Sequence, residues 1–346
     1  MISNKNNNYF LTYFLVFIFS FFHIIKSLVG QETSFYPKSY FGSILSGQIA
    51  NYNNDSKNAA KFFNYAHQIN PNNAQLYNLS LMSLLLNGKV DAAIKKVKDY
   101  KNLQGKSNFS NVQEPITELL VFIDAVNNNR KSEALKILNS NKDVIISKKL
   151  LPILKSWLSK NYDLAKENLD QYEYKSEGLA LSDLYYYHLA LLSNYYGNKA
   201  VTFEAFNKSL KDLTGEKIRT LFFYSNFLKA NIEYTDTNKF IEKFINKNPS
   251  HSFVIYLKEN NKNSFLVESS KDGISETMYN LAENLYGQGL YDTSIVFCQI
   301  SIFLNKNNII AKYLLAQNFQ VLNQRSKAIN ILQSINLKSY LGWNTY

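Results

Sequence analysis

Few side chains in this 346-residue sequence have a type and spacing suited to catalysis or metal binding. Beyond residue 30 the histidines are His67, His188 and His251. None has a second ligand four residues away, the spacing that places two metal ligands on one helix face. The single cysteine, Cys298, excludes a disulfide framework and a multi-thiolate zinc site. We therefore predict no metal site, and we expect Cys298 to be a small core side chain.

The carboxylates offer one pair for acid–base chemistry. Glu276 and Glu283 stand seven residues apart, on one face of a predicted helix. A solvated helix face is the simpler interpretation of this pair. The segment Tyr286-Gly287-Gln288-Gly289 is predicted to be a turn between helices rather than a phosphate-binding loop. We predict no catalytic residue, no cofactor and a protein that is not an enzyme.

Composition and charge narrow the class of protein. Hydrophobic residues make up 46% of the chain and charged residues 19%, which excludes a wholly disordered protein. The net charge of +11 is carried almost entirely by lysine, because arginine occurs only at Arg130, Arg219 and Arg325. Arginine is the side chain that forks onto phosphates and base edges. We therefore predict a solvated basic surface and no nucleic-acid partner.

The N-terminal segment is typical of an export signal. A polar start that contains Lys5 is followed by an apolar run from Phe10 to Ile25 without any acidic residue. The run is long for a signal core and short for a membrane span of about 20 residues. We predict residues 1–30 to be a signal peptide or an uncleaved membrane anchor. The remaining chain is then exported, either periplasmic or anchored to the inner membrane and facing the periplasm, with membrane contact only through this segment.

A repeat runs through the remaining chain, with a period of about 34 residues. Clear units begin at Tyr40, Ala74, Ser275 and Ile309. Apolar residues recur three and four positions apart within them, which is a helical period. The units between residues 113 and 257 are more degenerate but keep this period. Such self-similarity is typical of stacked supersecondary units that bury their apolar faces against their neighbours.

These units resemble the tetratricopeptide repeat, a helix–turn–helix unit of the same length, and in particular exported bacterial proteins that contain it. The family places a small residue at position eight, where the two helices cross, and Leu81 departs from that pattern. It places alanine at position twenty and a large apolar residue at position twenty-four. The matching residues are Gly47, Ala282 and Ala316 at position eight, Ala59, Ala93 and Ala328 with the near match Ser294 at position twenty, and Phe63, Val97, Cys298 and Leu332 at position twenty-four.

The resemblance predicts an all-α fold, a right-handed α-solenoid of about eight stacked helix-turn-helix units. Repeats 1–2 cover residues 36–101, degenerate repeats cover 113–257 and a C-terminal pair covers 274–340, with a polar linker over Lys258–Gly273. The chain stops where another helix is due, so we expect Leu315, Phe319 and Leu332 to be partly uncovered. We hypothesise that the chain is part of a longer reading frame, or that it self-associates at this uncapped end.

The resemblance also implies a binding face, because the first helix of each unit lines the concave wall in this family. Tyrosine gives contact area there, and amides bond an extended peptide backbone. The positions of the lysine clamp that some members use for chain termini are occupied by Ile44 and Asn78, so capture of a terminus is not predicted. The predicted partner-binding residues are Gln48, Asn51, Tyr52, Tyr187, Asn194, Tyr195, Tyr279, Glu283, Tyr286, Tyr313, Gln317 and Gln320.

The predicted function is that of a non-catalytic exported scaffold, which binds a protein or peptide on this concave face during envelope assembly. Two alternatives from other classes stay open at the level of sequence. The chain is the regulatory or binding half of a longer enzyme whose catalytic part is missing, or it is a module for glycans or the cell wall, because stacked tyrosines also suit sugar rings.

Overall fold

The computed structural model describes residues 39–104, 115–140, 150–172, 179–211, 217–231, 233–234, 239–259 and 267–336. Regular secondary structure in these ranges is helical, and no strand occurs in them. The predicted all-α class is therefore confirmed. The predicted signal or anchor over residues 1–30 lies outside the described residues, as does the chain after residue 336.

The described helices follow one another as pairs, which confirms the predicted helix–turn–helix repetition. The four degenerate units of the middle region are also present as helix pairs, and α13 is an additional helix that contacts α11. The helices are α1 (Tyr40–Tyr52) with α2 (Ser56–Ile69), α3 (Ala74–Leu86) with α4 (Val90–Gln104), α5 (Pro115–Asn127) with α6 (Lys131–Ser140), α7 (Leu151–Leu158) with α8 (Tyr162–Asp170), α9 (Leu179–Tyr195) with α10 (Lys199–Leu210), α11 (Ile218–Ala230) with α12 (Lys239–Lys247), then α13 (Ser252–Glu259), α14 (Ser270–Gly287) with α15 (Tyr291–Leu304), and α16 (Ile309–Val321) with α17 (Arg325–Gln333).

Six of the turns between the two helices of a pair have the same backbone conformation. Each contains a residue with positive φ, and in the four clear repeats this is position fifteen of the unit. The next amide bonds to a carbonyl five residues back, as from Lys89 to Leu84 at 2.9 Å, which is the hydrogen bond that ends a helix in a Schellman motif. Glycine and asparagine tolerate this left-handed conformation. The residues are Asn54, Gly88, Asn129, Gly197, Gly289 and Asn323.

Small residues stand where the helices of a pair cross. A Cβ atom on Gly47 would lie 2.6 Å from Cε1 of Phe63, far inside van der Waals contact. In the pair α14–α15, the Ser294 hydroxyl donates a hydrogen bond of 2.8 Å to the carbonyl of Ala282. These contacts join positions eight and twenty-four in one unit and positions eight and twenty in another. The repeat register predicted from the sequence is therefore the register of the helix crossings.

The helix after the predicted linker begins earlier than the sequence predicts, so the last four residues of the linker, 270–273, are helical. Helix α14 begins at Ser270, with its amide end capped by the Ser269 side chain, so Gly273 lies within the first turns of the helix rather than in a loop. The limits of the predicted domains remain predictions. Because Gly273 is helical, it lies on the face of α14 that packs against Trp157 of α7.

The last helix pair is better covered than the sequence predicts. Leu315 is fully buried and Phe319 is 4% exposed, which corrects the expectation that both are partly uncovered. They share a core with residues of α14 and α15, against which Leu86 of α3 also packs. In addition, Lys327 of α17 donates a hydrogen bond of 3.1 Å to the Asn54 carbonyl in the turn between α1 and α2. The end of the array therefore meets its beginning.

Candidate functional site

In the middle of the array, the face on which the sequence predicts partner binding lies against the protein's own helices α14 and α15. Helix α14 contacts α5, α7 and α9, and α15 contacts α3, α4 and α5. Apart from α4, these are the first helices of their pairs. Ile274 and Met278 of α14 and Ile300 of α15 are buried in the same core as the middle repeats. The inner face of the array is thus occupied by the pair α14–α15.

A glycine allows α14 to approach α7. A Cβ atom on Gly273 would lie 2.1 Å from Cδ2 of Trp157, and the other indole atoms nearby are also closer than 3 Å. Trp157 is 1% exposed and is the largest fully buried side chain among the described residues. The absence of a side chain at Gly273 is therefore what lets the helix backbone lie against the indole ring.

Beside this contact, a neutral histidine on α9 forms hydrogen bonds to both α7 and α14. The Trp157 indole N–H donates to Nδ1 of His188 at 3.2 Å, and Nε2 of His188 lies 3.0 Å from Oδ1 of Asn280 on α14. Nδ1 is then the acceptor and Nε2–H the donor, which is the pattern of an uncharged imidazole. Burial lowers the pKa of His188 to about 3, although the bond to Asn280 opposes this shift. His188 therefore stays neutral and connects α7 to α14 through α9.

A buried ion pair fixes the next turn of α14. Glu276 has a side chain only 2% exposed, and it pairs with Arg219 of α11, whose side chain is 12% exposed. Nε of Arg219 donates to Oε2 of Glu276 at 3.1 Å, and its Nη2 donates to Oε1. The Tyr187 hydroxyl donates to Oε2 at 2.7 Å, and Nδ2 of Asn308 donates to Oε1 at 3.1 Å. The expectation that Glu276 belongs to a solvated helix face is therefore wrong.

The reason for this correction is long-range packing. Glu276 is opposed by a residue 57 positions away in the sequence, on a helix of another repeat. The helical period of α14 indicates only that Glu276 and Glu283 lie on the same face of the helix. In the structure this face is buried against α11 at Glu276 and exposed at Glu283. Both carboxylate oxygens of Glu276 accept hydrogen bonds, so its charge is compensated within the chain. The ion pair and its hydrogen bonds therefore hold α14 against α9 and α11.

The predicted partner-binding residues are distributed over different environments. Tyr187 and Tyr279 are buried, and their hydroxyls donate to Glu276 and Glu283 at 2.7 and 2.8 Å. Four predicted residues are exposed in α1 and α16: Gln48, Asn51, Tyr52 and Gln320, and Glu283 of α14 is exposed as well. The half-buried ones are Asn194, Tyr195, Tyr286, Tyr313 and Gln317. The structure therefore does not bring the set together on one open wall.

Helix α1 carries apolar side chains that the other described helices leave exposed. Phe41, Leu45, Ile49 and Tyr52 are spaced by four, four and three residues and are exposed by 79, 59, 53 and 89%. This spacing places them along one face of the helix, which we call the α1 stripe. Apolar side chains exposed together in this way mark interaction surfaces. Of these four residues only Tyr52 was among the predicted partner-binding residues, although the three- and four-residue spacing of the others is visible in the sequence.

The α1 stripe is the face that a preceding repeat would cover. Leu79, which takes the place of Leu45 in the next repeat, packs against the core of the first pair. Ser83, which takes the place of Ile49 there, is 2% exposed. In the last pair, the residue that corresponds to Leu45 is Leu314, which is 5% exposed. The middle of the α1 stripe thus has the apolar character of a stacking face that is covered in later repeats, whereas Gln75 and Val321, which take the places of Phe41 and Tyr52 in later units, are exposed.

The other residues considered for chemistry, Cys298 and the possible metal ligands, lie in ordinary structural environments. Cys298 is fully buried in the core of the last two pairs, as predicted, and burial raises the pKa of its thiol. Within the described ranges, His, Cys, Asp and Glu side chains form no group of three or more that is arranged to hold a metal ion. None of the described helices combines the length and apolarity that crossing a bilayer requires.

Comparisons with known proteins add little beyond the helix pairs themselves. The sequence matches no family model and no curated protein. Among solved structures, the chain is similar to the crystal structure of the TPR (tetratricopeptide repeat) domain of P58(IPK), with 14% sequence identity. The match covers 85% of this chain and 91% of that chain, with a TM-score of 0.26. The assignment of tetratricopeptide-like pairs therefore rests on the repeat register, the turns and the crossings described above.

Proposed function

We propose that this protein is an exported, non-catalytic scaffold that binds an amphipathic helix of a protein partner on the α1 stripe. The observation that carries this proposal is the exposure of four apolar side chains on a stacking face of the repeat. The partner helix takes the place of the second helix of a preceding repeat. A repeat array gains stability from each neighbour that stacks on it, so an apolar stacking face such as the α1 stripe favours such an addition.

The dimensions of α1 fit this kind of partner. Its 13 residues span about 20 Å at 1.5 Å per residue, which is three to four turns of a helix laid alongside it. Apolar anchors repeating at three and four residues are the feature that helix-in-groove recognition uses. The inner face, in contrast, is filled by α14 and α15, so the proposed partner site lies at the end of the array instead of inside it.

The double substitution Leu45→Glu/Ile49→Glu tests the α1 stripe. Burying one leucine or isoleucine at an interface stabilises a complex by about 1.5–3 kcal/mol. The partner is first identified with a photocrosslinking amino acid at Tyr52 in the native cell envelope, and the crosslinked segment is mapped. We then expect the double variant to bind the purified partner at least about tenfold more weakly than wild type, measured as Kd by titration calorimetry.

The matched control is Ile69→Glu/Ile329→Glu, which changes two apolar side chains of similar exposure on α2 and α17. Both double variants are expected to keep the wild-type melting temperature, because the replaced side chains are exposed. An unchanged Kd in the α1 variant would overturn the proposal. A crosslinked segment from a second copy of this chain, or binding of cell-wall glycan fragments with no protein partner, would also overturn it.

Export is tested with the N-terminal segment itself. Residues 1–30 fused to a β-lactamase that lacks its own signal are expected to confer ampicillin resistance on a Gram-negative host. The reason is the apolar run Phe10–Ile25, which has the pattern that an export machinery reads. The substitutions Leu15→Lys/Val16→Lys interrupt this run and are expected to abolish resistance at equal expression. If the fusion with the unmodified residues 1–30 does not confer resistance, export is refuted.

A further inference from the structure

The second helices of the first two pairs enclose a basic cleft on a different side of the protein. The cleft between α2 and α4 has a volume of about 1010 Å³. Five lysines line it, Lys57, Lys61, Lys89, Lys95 and Lys96, and Asp99 is the carboxylate among its lining residues. We call this surface the lysine cleft. None of the residues of the α1 stripe contributes to it.

Three of the five lysines in this cleft have no ion pair among the described residues. Lys57, Lys89 and Lys95 are exposed and form no ion pair with any residue in the described ranges. On the same helix, Lys98 pairs with Asp124 at 2.8 Å and Lys101 with Glu118 at 3.1 Å, both toward α5. Within the described part of the chain, the α4 lysines that point toward α5 are thus in ion pairs, whereas Lys95, which lines the cleft, is in none.

One lysine lies deeper than the others. Nζ of half-buried Lys96 donates to Oδ1 of Asn64 at 2.7 Å and lies 3.4 Å from Nδ1 of His67, at 5.8 Å from the centre of the Tyr77 ring. Burial lowers the pKa of Lys96 to about 8. Burial, together with the charge of Lys96, lowers the pKa of His67 to about 4. At neutral pH the floor of the cleft therefore holds a cation next to a neutral imidazole, without a carboxylate bonded to it.

We propose that the lysine cleft binds an acidic, extended segment of a protein, with glutamate or aspartate side chains on its lysines. An extended peptide presents alternate side chains on one face, about 6.6 Å apart, so a segment with acidic residues at alternate positions places several carboxylates along one face of the cleft. Charge complementarity of this kind governs the choice of partner and the rate of encounter.

A peptide fits the rest of the lining better than a nucleic acid does. The wall contains the amides of Asn64, Gln68 and Asn87, which bond to a peptide backbone, and the apolar side chains of Ala60 and Leu84. It contains no arginine, the side chain that recognises phosphate and bases with a bidentate fork. Lysine ammonium groups act as point charges, which suits monodentate contacts to single carboxylates.

The experiment uses the purified full chain and a fluorescein-labelled octapeptide that alternates glutamate and serine, with the corresponding glutamine–serine peptide as the neutral control. Fluorescence anisotropy is expected to show binding of the acidic peptide alone, weakened as the salt concentration rises. The variant Lys57→Glu/Lys95→Glu is expected to weaken this binding at least about tenfold. The milder Lys57→Gln/Lys95→Gln is expected to weaken it less, and it keeps the test valid if charge reversal disturbs folding.

The matched control is Lys243→Glu/Lys247→Glu on α12, which changes the net charge by the same amount at two exposed lysines away from the cleft. It is expected to leave the affinity within about twofold of wild type, because surface charges at a distance are screened. Equal weakening by the cleft and control pairs would overturn the proposal. So would equal binding of the two peptides, or displacement of the acidic peptide by a single-stranded oligonucleotide or inorganic polyphosphate at lower concentration.

Discussion

The substitution Gly273→Ala is expected to lower the free energy of unfolding by about 3 kcal/mol or more, at the upper end of the cost of overpacking a core. The new Cβ would lie 2.1 Å from Trp157, whereas carbon atoms in contact are about 3.5–4.0 Å apart. The indole cannot easily move away, because it is fully buried and its N–H is bonded to His188. We therefore expect α14 to withdraw from α7.

Gly287→Ala is the matched control, since both glycines lie in α14 and a Cβ on Gly287 would meet nothing within 4 Å. This control is expected to be neutral or stabilising by up to about 1 kcal/mol, because alanine favours a helix. Circular dichroism during thermal unfolding gives the stability of both variants. Hydrogen exchange is expected to accelerate in α14 and α15 of Gly273→Ala more than in α1 and α2. Equal stability of the two variants would show that α14 does not lie against Trp157.

The substitution Arg219→Leu is expected to cost about 3–5 kcal/mol, because it leaves the buried carboxylate of Glu276 without its cation. Tyr187 and Asn308 still donate to this carboxylate, but neither carries a charge. Adding Glu276→Gln to the variant removes the uncompensated charge and is expected to restore part of the lost stability. Chemical denaturation of the single and double variants gives the coupling free energy between the two residues.

An exposed ion pair provides the comparison for this cycle. Lys199 and Glu233 lie 3.3 Å apart, with more than half of each side chain exposed. Lys199→Leu is expected to leave the free energy of unfolding unchanged, because water and salt already screen this pair. If Arg219→Leu were as mild as Lys199→Leu, the buried pair could not be what holds α14 on α11.

The local architecture was predictable because it depends on residues close in sequence. Position eight of the first unit is Gly47 and position twenty-four is Phe63, and these two residues meet at the helix crossing. Gly88 and Gly289 stand at the same position of their units, and both have the positive φ that ends a first helix. The degenerate units from α5 to α12 keep the three- and four-residue period, and helix pairs are present in that region.

The docking of α14 and α15 was not predictable from such patterns. Gly273 was assigned to a polar linker, because nothing in its neighbourhood shows that Trp157, from a much earlier repeat, lies against it. Glu276 was assigned to a solvated face for the same reason.

The amino-acid sequence by itself determined the helix pairs, their register and the turns between them, since all of these follow from contacts within one repeat unit. Only the tertiary structure decided which faces of those helices are available to a partner. A helical period shows that a face is apolar or polar, but it does not show which distant helix covers that face. Here the inner face of the middle repeats is covered by α14 and α15, while the helices of the described ranges leave the α1 stripe exposed.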